Sequence, residues 1–189
     1  MKQFSMIVAI DNKNGFSKNN KIPWHLKKDF KWFNNVTTGG TNQNAIIMGR
    51  KTWETLPKKP LTNRYNIIIS SKTDISHNDK QCMVVSSLDE ALMFCTRGNS
   101  KHLIDDIFVI GGQQLYEEGL NHKLCKRLYI THIDADYGCD RFFPKIDMNE
   151  WRLLDCSCIN VEGDVKFTFC IYERGAKPPF GTPPSFVCT

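Results

Sequence analysis

Apolar positions along this chain follow two alternating patterns. In the first, three to five apolar residues stand side by side between polar turns, as in Met6-Ile7-Val8-Ala9-Ile10, Ile67-Ile68-Ile69 and Ile107-Phe108-Val109-Ile110. Runs of this length, rich in β-branched residues, suit strands covered on both faces. They predict strands over residues 4–10, 45–48, 66–71, 82–86, 107–110, 127–133, 151–159 and 165–173. In the second pattern apolar residues recur three or four apart. Leu26, Phe30 and Phe33 place a helix over 26–35, and a short helix over 50–56 stops at Pro57. Residues 88–96 follow Ser87 with Glu90 three positions on, a capping-box signature, and 113–120 follow two glycines. Strand alternating with helix predicts an α/β fold with right-handed crossovers and a largely parallel sheet. The last two strands have no helix between them, so the sheet should end antiparallel.

Composition narrows this picture. The chain has 189 residues, of which 41% are apolar and 24% charged, the values of a globular domain. No domain boundary is visible before Arg174. One domain over residues 1–174 is therefore expected, followed by a Pro- and Gly-rich tail over 175–189, either a surface extension or a linker. The net charge of +5 suits anionic small molecules and is too small to call for nucleic acid. No signal peptide and no membrane-length apolar run is read, so a cytoplasmic protein is expected. The eight cysteines contain no CxxC pair. They are expected as reduced, mostly buried thiols, with no metal site.

Charge and glycine then mark candidate chemistry. Asp29 lies three residues after Leu26 and four before Phe33, on the apolar face of the first helix. A carboxyl there either pairs with Lys27, Lys28 or Lys31, or faces a pocket and gains a raised pKa. Gly111-Gly112 joins a buried strand to a helix start, a layout in which backbone N–H groups can meet a phosphate. Gly49-Arg50-Lys51-Thr52 repeats it with two cations, which oppose the dipole at a helix start unless an anion binds there. Two such places on one sheet suit a dinucleotide. Ser70-Ser71-Lys72 ends another strand on the same side of the sheet. Arg64 could grip a carboxylate with two parallel bonds or lie on the surface. The polar loop from Gly15 to Asn20, ending in Ile22-Pro23-Trp24, has the make-up of a lid.

In order and spacing these segments resemble the dihydrofolate reductase family from Phe4 to about Arg174. The resemblance rests on Ile7-Val8-Ala9-Ile10, Gly15 through Pro23-Trp24, Asp29 with Phe33, and Ile47-Met48-Gly49-Arg50-Lys51-Thr52-Trp53-Glu54. It continues through Pro60-Leu61, Arg64, Asn66 to Ser71, Val109-Ile110-Gly111-Gly112 with Tyr116, Leu128 to Ile133, and Phe142-Phe143-Pro144. It implies an eight-stranded, mostly parallel sheet with four flanking helices. It also implies NADPH as hydride donor and dihydrofolate as acceptor, with antifolates as inhibitors, in a monomer.

By the same resemblance, Asp29 would be the pterin-binding acid that assists protonation. Trp24 would anchor the lid and an ordered water, with Ile22 beside it. Ile7, Val8, Ala9, Ile22, Phe33, Leu56, Leu61, Ile110 and Tyr116 would line the substrate pocket. Thr131 would bond the acid, and Arg64 would clamp the glutamate α-carboxylate. Ala9, Ile10, Gly15, Phe16, Gly49, Arg50, Lys51, Thr52, Ser70, Ser71, Lys72 and Ile110 would meet the cofactor, as would Gly111, Gly112, Gln113, Gln114, Leu115 and Tyr116. In the family the Gly-Gly bond is cis. This sequence departs from the family at Ser17, where the lid has glycine, at Ser86, where a base is common, and at Arg141, where threonine is usual. Two other readings stay open: a non-catalytic binding module of the same fold, and a reductase of a pyrimidine precursor.

Overall fold

The computed structural model describes residues 1–71, 81–97 and 103–175. In chain order its strands are β1 (Phe4–Ile10), β2 (Gly15–Ser17), β3 (Gln43–Gly49), β4 (Arg64–Ile69), β5 (Cys82–Val85), β6 (Ile104–Val109), β7 (Cys125–Ile133), β8 (Arg141–Phe142), β9 (Trp151–Cys156), β10 (Asn160–Glu162) and β11 (Val165–Arg174). The helices are α1 (Lys27–Thr38), α2 (Arg50–Thr55), α3 (Leu88–Arg97) and α4 (Gln113–Asn121). Each of the eight predicted strands and four predicted helices is present, with ends shifted by a few residues.

The main sheet runs β11-β7-β1-β6-β3-β4-β5, parallel from β7 to β5 and antiparallel between β7 and β11. Its last position is shared. β10 pairs with the first residues of β11 and β9 with its last, so the strand predicted over 151–159 ends at Cys156 and a further short strand follows it at the same edge. That gives eight strand positions, as the family resemblance implies. Ser157 explains the break: its backbone N–H reaches the Phe169 carbonyl while its hydroxyl accepts the Phe169 N–H, which interrupts regular pairing.

β3 shows why the inner strands are apolar on consecutive positions. Ala45, Ile46, Ile47 and Met48 are all fully buried. Ala45 and Ile47 join the core beneath α3 and α4, with Leu88, Leu92, Leu115 and Leu120. Ile46 and Met48 join the opposite core with Ile7, Ile68 and Phe108, covered by Trp32, Phe33 and Val36 of α1 and Trp53 of α2. Each large side chain buried this way contributes roughly 1.5–3 kcal/mol of transfer free energy.

The expectation of reduced thiols throughout is corrected. Cys156 and Cys170 are direct partners across β9 and β11 and are joined by a disulfide. Cys82, Cys95, Cys125 and Cys139 are reduced thiols. Linear spacing could not show this pair, because it depends on the register of two strands 14 residues apart. Among the described residues, no helix is long and apolar enough to cross a membrane, and no cluster could hold a metal ion. The tail from residue 176 lies outside the described residues.

Candidate active site

The carboxyl ends of β3, β4 and β6 open onto one crevice, the place where an open α/β sheet binds its ligands. Adjacent backbone bonds draw these ends together: Gly49 N–H donates to Gly111 O at 2.8 Å, and Ile110 N–H donates to Ile47 O at 2.9 Å. The crevice is a cleft of about 750 Å³. One wall is the start of α2, with Gly49, Arg50, Lys51 and Thr52, and the opposite wall is the start of α4, with Gly112, Gln113, Gln114 and Leu115. Ser70 and Ser71 extend the wall past β4, and Phe16 of β2 closes it from the lid side. Lys72 lies outside the described residues.

Both helix starts are capped by glycine backbone with no side-chain cap, so their first N–H groups stay available to an anion. Gly111 has φ +130°, a conformation reserved for glycine, and the Gly111–Gly112 bond is cis. The open helix starts fit a phosphate-bearing ligand.

Other expected cofactor contacts form the frame behind this cleft. Ile10 is 1% exposed and belongs to the core beneath α4. Tyr116 is buried, and its hydroxyl donates to Ile7 O at 2.9 Å. Phe16 packs edge-on against the Tyr116 ring, with ring centroids 5.3 Å apart. Gly15 faces inward. A Cβ there would lie 2.4 Å from Cys139 Cβ, and its N–H donates to Asp11 Oδ1 at 2.7 Å. Asp11 also accepts from Lys13 and Tyr137 N–H, which ties down the base of the lid.

The second half of the site is built along one stripe of α1. Asp29, Phe33 and Thr37 stand four residues apart, so the stripe spans roughly 12 Å. At its first end, Thr131 Oγ1 of β7 donates to Asp29 Oδ1 at 2.6 Å. Burial pushes the Asp29 carboxyl up to about 6, opposed by the Thr131 bond and reinforced by the nearby Glu162 charge. In the middle, Phe33, Leu56, Leu61 and Ile110 are partly buried against Ile7 and the rest of the core under α1. At the far end, Arg64 is 3% exposed. Its Nη1 donates to Thr37 Oγ1 at 2.7 Å, its Nε donates to Thr62 O at 3.0 Å, and its guanidinium lies over the Phe33 ring. No carboxylate pairs with it among the described residues, and burial lowers its pKa. A buried cation without a counter-charge is costly, so this end is built to receive an anion.

Some expectations are corrected here. Val8 was expected beside Ile7 in the substrate pocket, but its side chain joins the core on the other sheet face. Neighbours on a strand alternate faces, so Val8 can offer this pocket only its backbone. Tyr116 is in the same core as Val8. Phe30, expected on the buried stripe of α1, is 39% exposed against His25. Ala9 pairs with Thr131 in register, which places it next to the acid's partner. Trp24 is buried beside Tyr137, and its Nε1 has no acceptor among the described residues. Ile22 on the lid is 57% exposed.

Sequence reasoning missed Thr37, whose hydroxyl orients Arg64, and Asn66, which is fully buried. Asn66 Nδ2 donates to the Leu61 and Arg64 carbonyls, and its Oδ1 accepts from Leu61 N–H, so it fixes the turn that carries both site residues. The available signal was a polar residue inside each apolar pattern.

An anion-ready cleft lies beside an apolar trough with an acid at one end and a cation at the other, an arrangement suited to an α/β enzyme. Comparison with known proteins identifies the family. The family model described as dihydrofolate reductase matches residues 3–174. A dihydrofolate reductase of Schistosoma mansoni is 36% identical over 180 residues, spanning 90% of this chain and 96% of the relative. That of Sus scrofa is 33% identical over 186 residues, spanning 92% and 99%. The bifunctional dihydrofolate reductase-thymidylate synthase 2 of Arabidopsis thaliana is 34% identical over 178 residues, spanning 90% of this chain and 31% of the relative. The chain belongs to the dihydrofolate reductase family and is an oxidoreductase.

Proposed function

We propose that this protein reduces 7,8-dihydrofolate to 5,6,7,8-tetrahydrofolate with NADPH, the reaction that returns folate to one-carbon metabolism. The observation that carries the reading is the α1 stripe, with a carboxyl near pH 6 at one end and an unneutralised buried guanidinium at the other. A substrate that fits must have a hydrogen-bonding head, a flat apolar body and a carboxylate tail. Dihydrofolate has that layout, and a pyrimidine precursor lacks the long body and tail.

In this mechanism the nicotinamide ring supplies the hydride when bound. The protein's part is to hold two flat rings in contact, exclude water and manage one proton. The starts of α2 and α4 would hold the phosphates of the dinucleotide, and Ser70 and Ser71 would add hydroxyl donors on the same side of the cleft. Asp29 accepts hydrogen bonds from the pteridine head. With a pKa of about 6 it is protonated in a useful fraction of molecules near neutrality and can pass a proton toward the ring nitrogen. Trp24 Nε1 is the buried donor available to orient a relaying water. Ile22, exposed on the lid, supplies the apolar surface that closes over the rings. Arg64 receives the α-carboxylate in a two-bond grip, oriented by Thr37.

The test is loss of nicotinamide absorbance when dihydrofolate is added to protein and NADPH. Turnover should be much slower with NADH and should stop with an antifolate. No decay with either cofactor would overturn the reading.

A further inference from the structure

Arg141 is the residue of the cleft that neither the fold nor the acid chemistry accounts for. It lies on β8, which pairs with β2 of the lid, with Ser17 opposite Arg141. The ribbon is held in place because Asp140 N–H donates to Ser17 O at 2.9 Å and Asn19 N–H donates to Asp140 Oδ2 at 2.9 Å. Arg141 also lines the cleft, together with the starts of α2 and α4.

The charges around the cleft are uneven. On the α2 wall stand Arg50 and Lys51, and Arg50 is already paired with Glu54 at 2.5 Å. The α4 wall has no cation among its lining residues and carries two carboxylates, Glu117 and Glu118. A diphosphate seated between these helices would therefore meet net negative charge on one side. Among the described residues, Arg141 is the lining cation outside α2. Its single side-chain hydrogen bond goes to the neighbouring Asp140 carbonyl at 3.1 Å, and no carboxylate pairs with it among the described residues. An exposed guanidinium in that state can turn its remaining donors to phosphate oxygens without breaking an ion pair.

We infer that Arg141 is a cofactor-binding residue: from the lid ribbon it clasps the bridging diphosphate of the dinucleotide, offsets Glu117 and Glu118, and makes lid position depend on bound cofactor. This rests on the NADPH reading of the cleft. The diphosphate, rather than the 2′-phosphate, is the target because Arg141 shares the lid with Phe16, whereas Ser70 and Ser71 lie past β4.

The test compares wild type, Arg141→Thr and Arg141→Lys by nicotinamide fluorescence, with NADPH and NADH, at low and moderate salt. Dihydrofolate binding is followed by tryptophan quenching. Wild-type binding is measured first, and failure to bind either dinucleotide would overturn the cofactor reading and this inference with it. With binding established, R141T should weaken NADPH and NADH alike by about tenfold, the effect of one lost charge-assisted bond. It should also flatten the salt dependence, R141K should restore much of both, and dihydrofolate binding should stay unchanged. Unchanged dinucleotide affinity would overturn the inference and leave Arg141 as a solvated counter-charge to the α4 carboxylates. Loss for NADPH alone would move the contact to the 2′-phosphate, against the assignment made here. Equal loss for dihydrofolate would show a disturbed lid rather than a phosphate contact.

Discussion

The Thr37 hydroxyl accepts a hydrogen bond from Arg64 Nη1 at 2.7 Å and donates its own proton to the Phe33 carbonyl at 2.7 Å, so a fully buried side chain of α1 fixes the guanidinium of β4. Thr37→Val keeps the volume and removes both bonds. It leaves one buried N–H of Arg64 unpaired, at a cost of about 1–3 kcal/mol in folding stability. The freed guanidinium loses its aim, so KM for dihydrofolate should rise about tenfold while kcat and KM for NADPH change little. Arg64→Leu should raise KM for dihydrofolate by roughly 100-fold or more. Steady-state kinetics and denaturant melts check both variants, and an unchanged dihydrofolate KM in either would contradict the carboxylate clamp.

Asp29 should make stability and turnover fall in the same direction as pH rises, because both depend on its protonated form. Its folded pKa, about 6, lies above the ordinary carboxyl value of 3.8. Between these values the folded state binds the extra proton, so stability falls as pH rises from about 4 to about 6. Above that window the penalty for the buried charge is fully present, on the order of 3 kcal/mol. Asp29→Asn removes the charge and keeps an acceptor for Thr131. It should be more stable than wild type at pH 8 and about equally stable at pH 4, while losing most turnover at neutral pH. Urea melts across pH, paired with activity, check this. A variant less stable than wild type at pH 8 would contradict the burial argument.

What the sequence made legible depended on whether the signal was local. The inner strands could be read because Ala45 to Met48 and Ile67 to Ile68 are buried on both sheet faces, which leaves an unbroken apolar run. Asp29 stood out because a carboxyl breaks the apolar spacing of α1. Long-range relationships were not legible. The Ser157 contacts that end the edge strand, the Cys156–Cys170 register and the partners of Thr37 each depend on a distant element. Val8 was misplaced for a different reason: a run apolar on every position hides which face each residue takes, and period-two alternation settles it only once the sheet is formed.

Gly111 and Gly163 separate backbone strain from crowding. Gly163 has φ +60° with nothing within 4 Å of an added Cβ, so Gly163→Ala should cost about 1 kcal/mol. Gly111 has φ +130°, and an added Cβ would lie 3.4 Å from both Thr52 Oγ1 and the Tyr116 hydroxyl. Gly111→Ala should therefore cost more, about 2–3 kcal/mol. It should also push Thr52 out of line, weakening NADPH more than dihydrofolate. Thermal melts and separate titrations of the two ligands check this, and equal costs for the two alanine variants would contradict it.

Glu162 links the far edge of the sheet to the acid. α1 begins after Leu26, which offers no side-chain cap, and the carboxylate of Glu162 in β10 takes that place by accepting Lys27 N–H at 2.7 Å and Lys28 N–H at 3.1 Å. Those bonds hold its pKa below the ordinary value, so its contribution to stability is present above about pH 4.5 and is lost as pH falls through the lowered pKa. The same charge raises the Asp29 pKa. Glu162→Gln should thus do two things at once. The melting temperature should drop at neutral pH but approach that of wild type in acid, because the capping charge is then gone from both. The pH at which Asp29 titrates in kcat/KM should move down, since a neighbouring negative charge no longer opposes its ionisation. That second shift should shrink with added salt, which screens an exposed charge. An Asp29 profile that stayed fixed or moved upward would show that the two carboxyls are not coupled, and the raised pKa would then belong to burial alone.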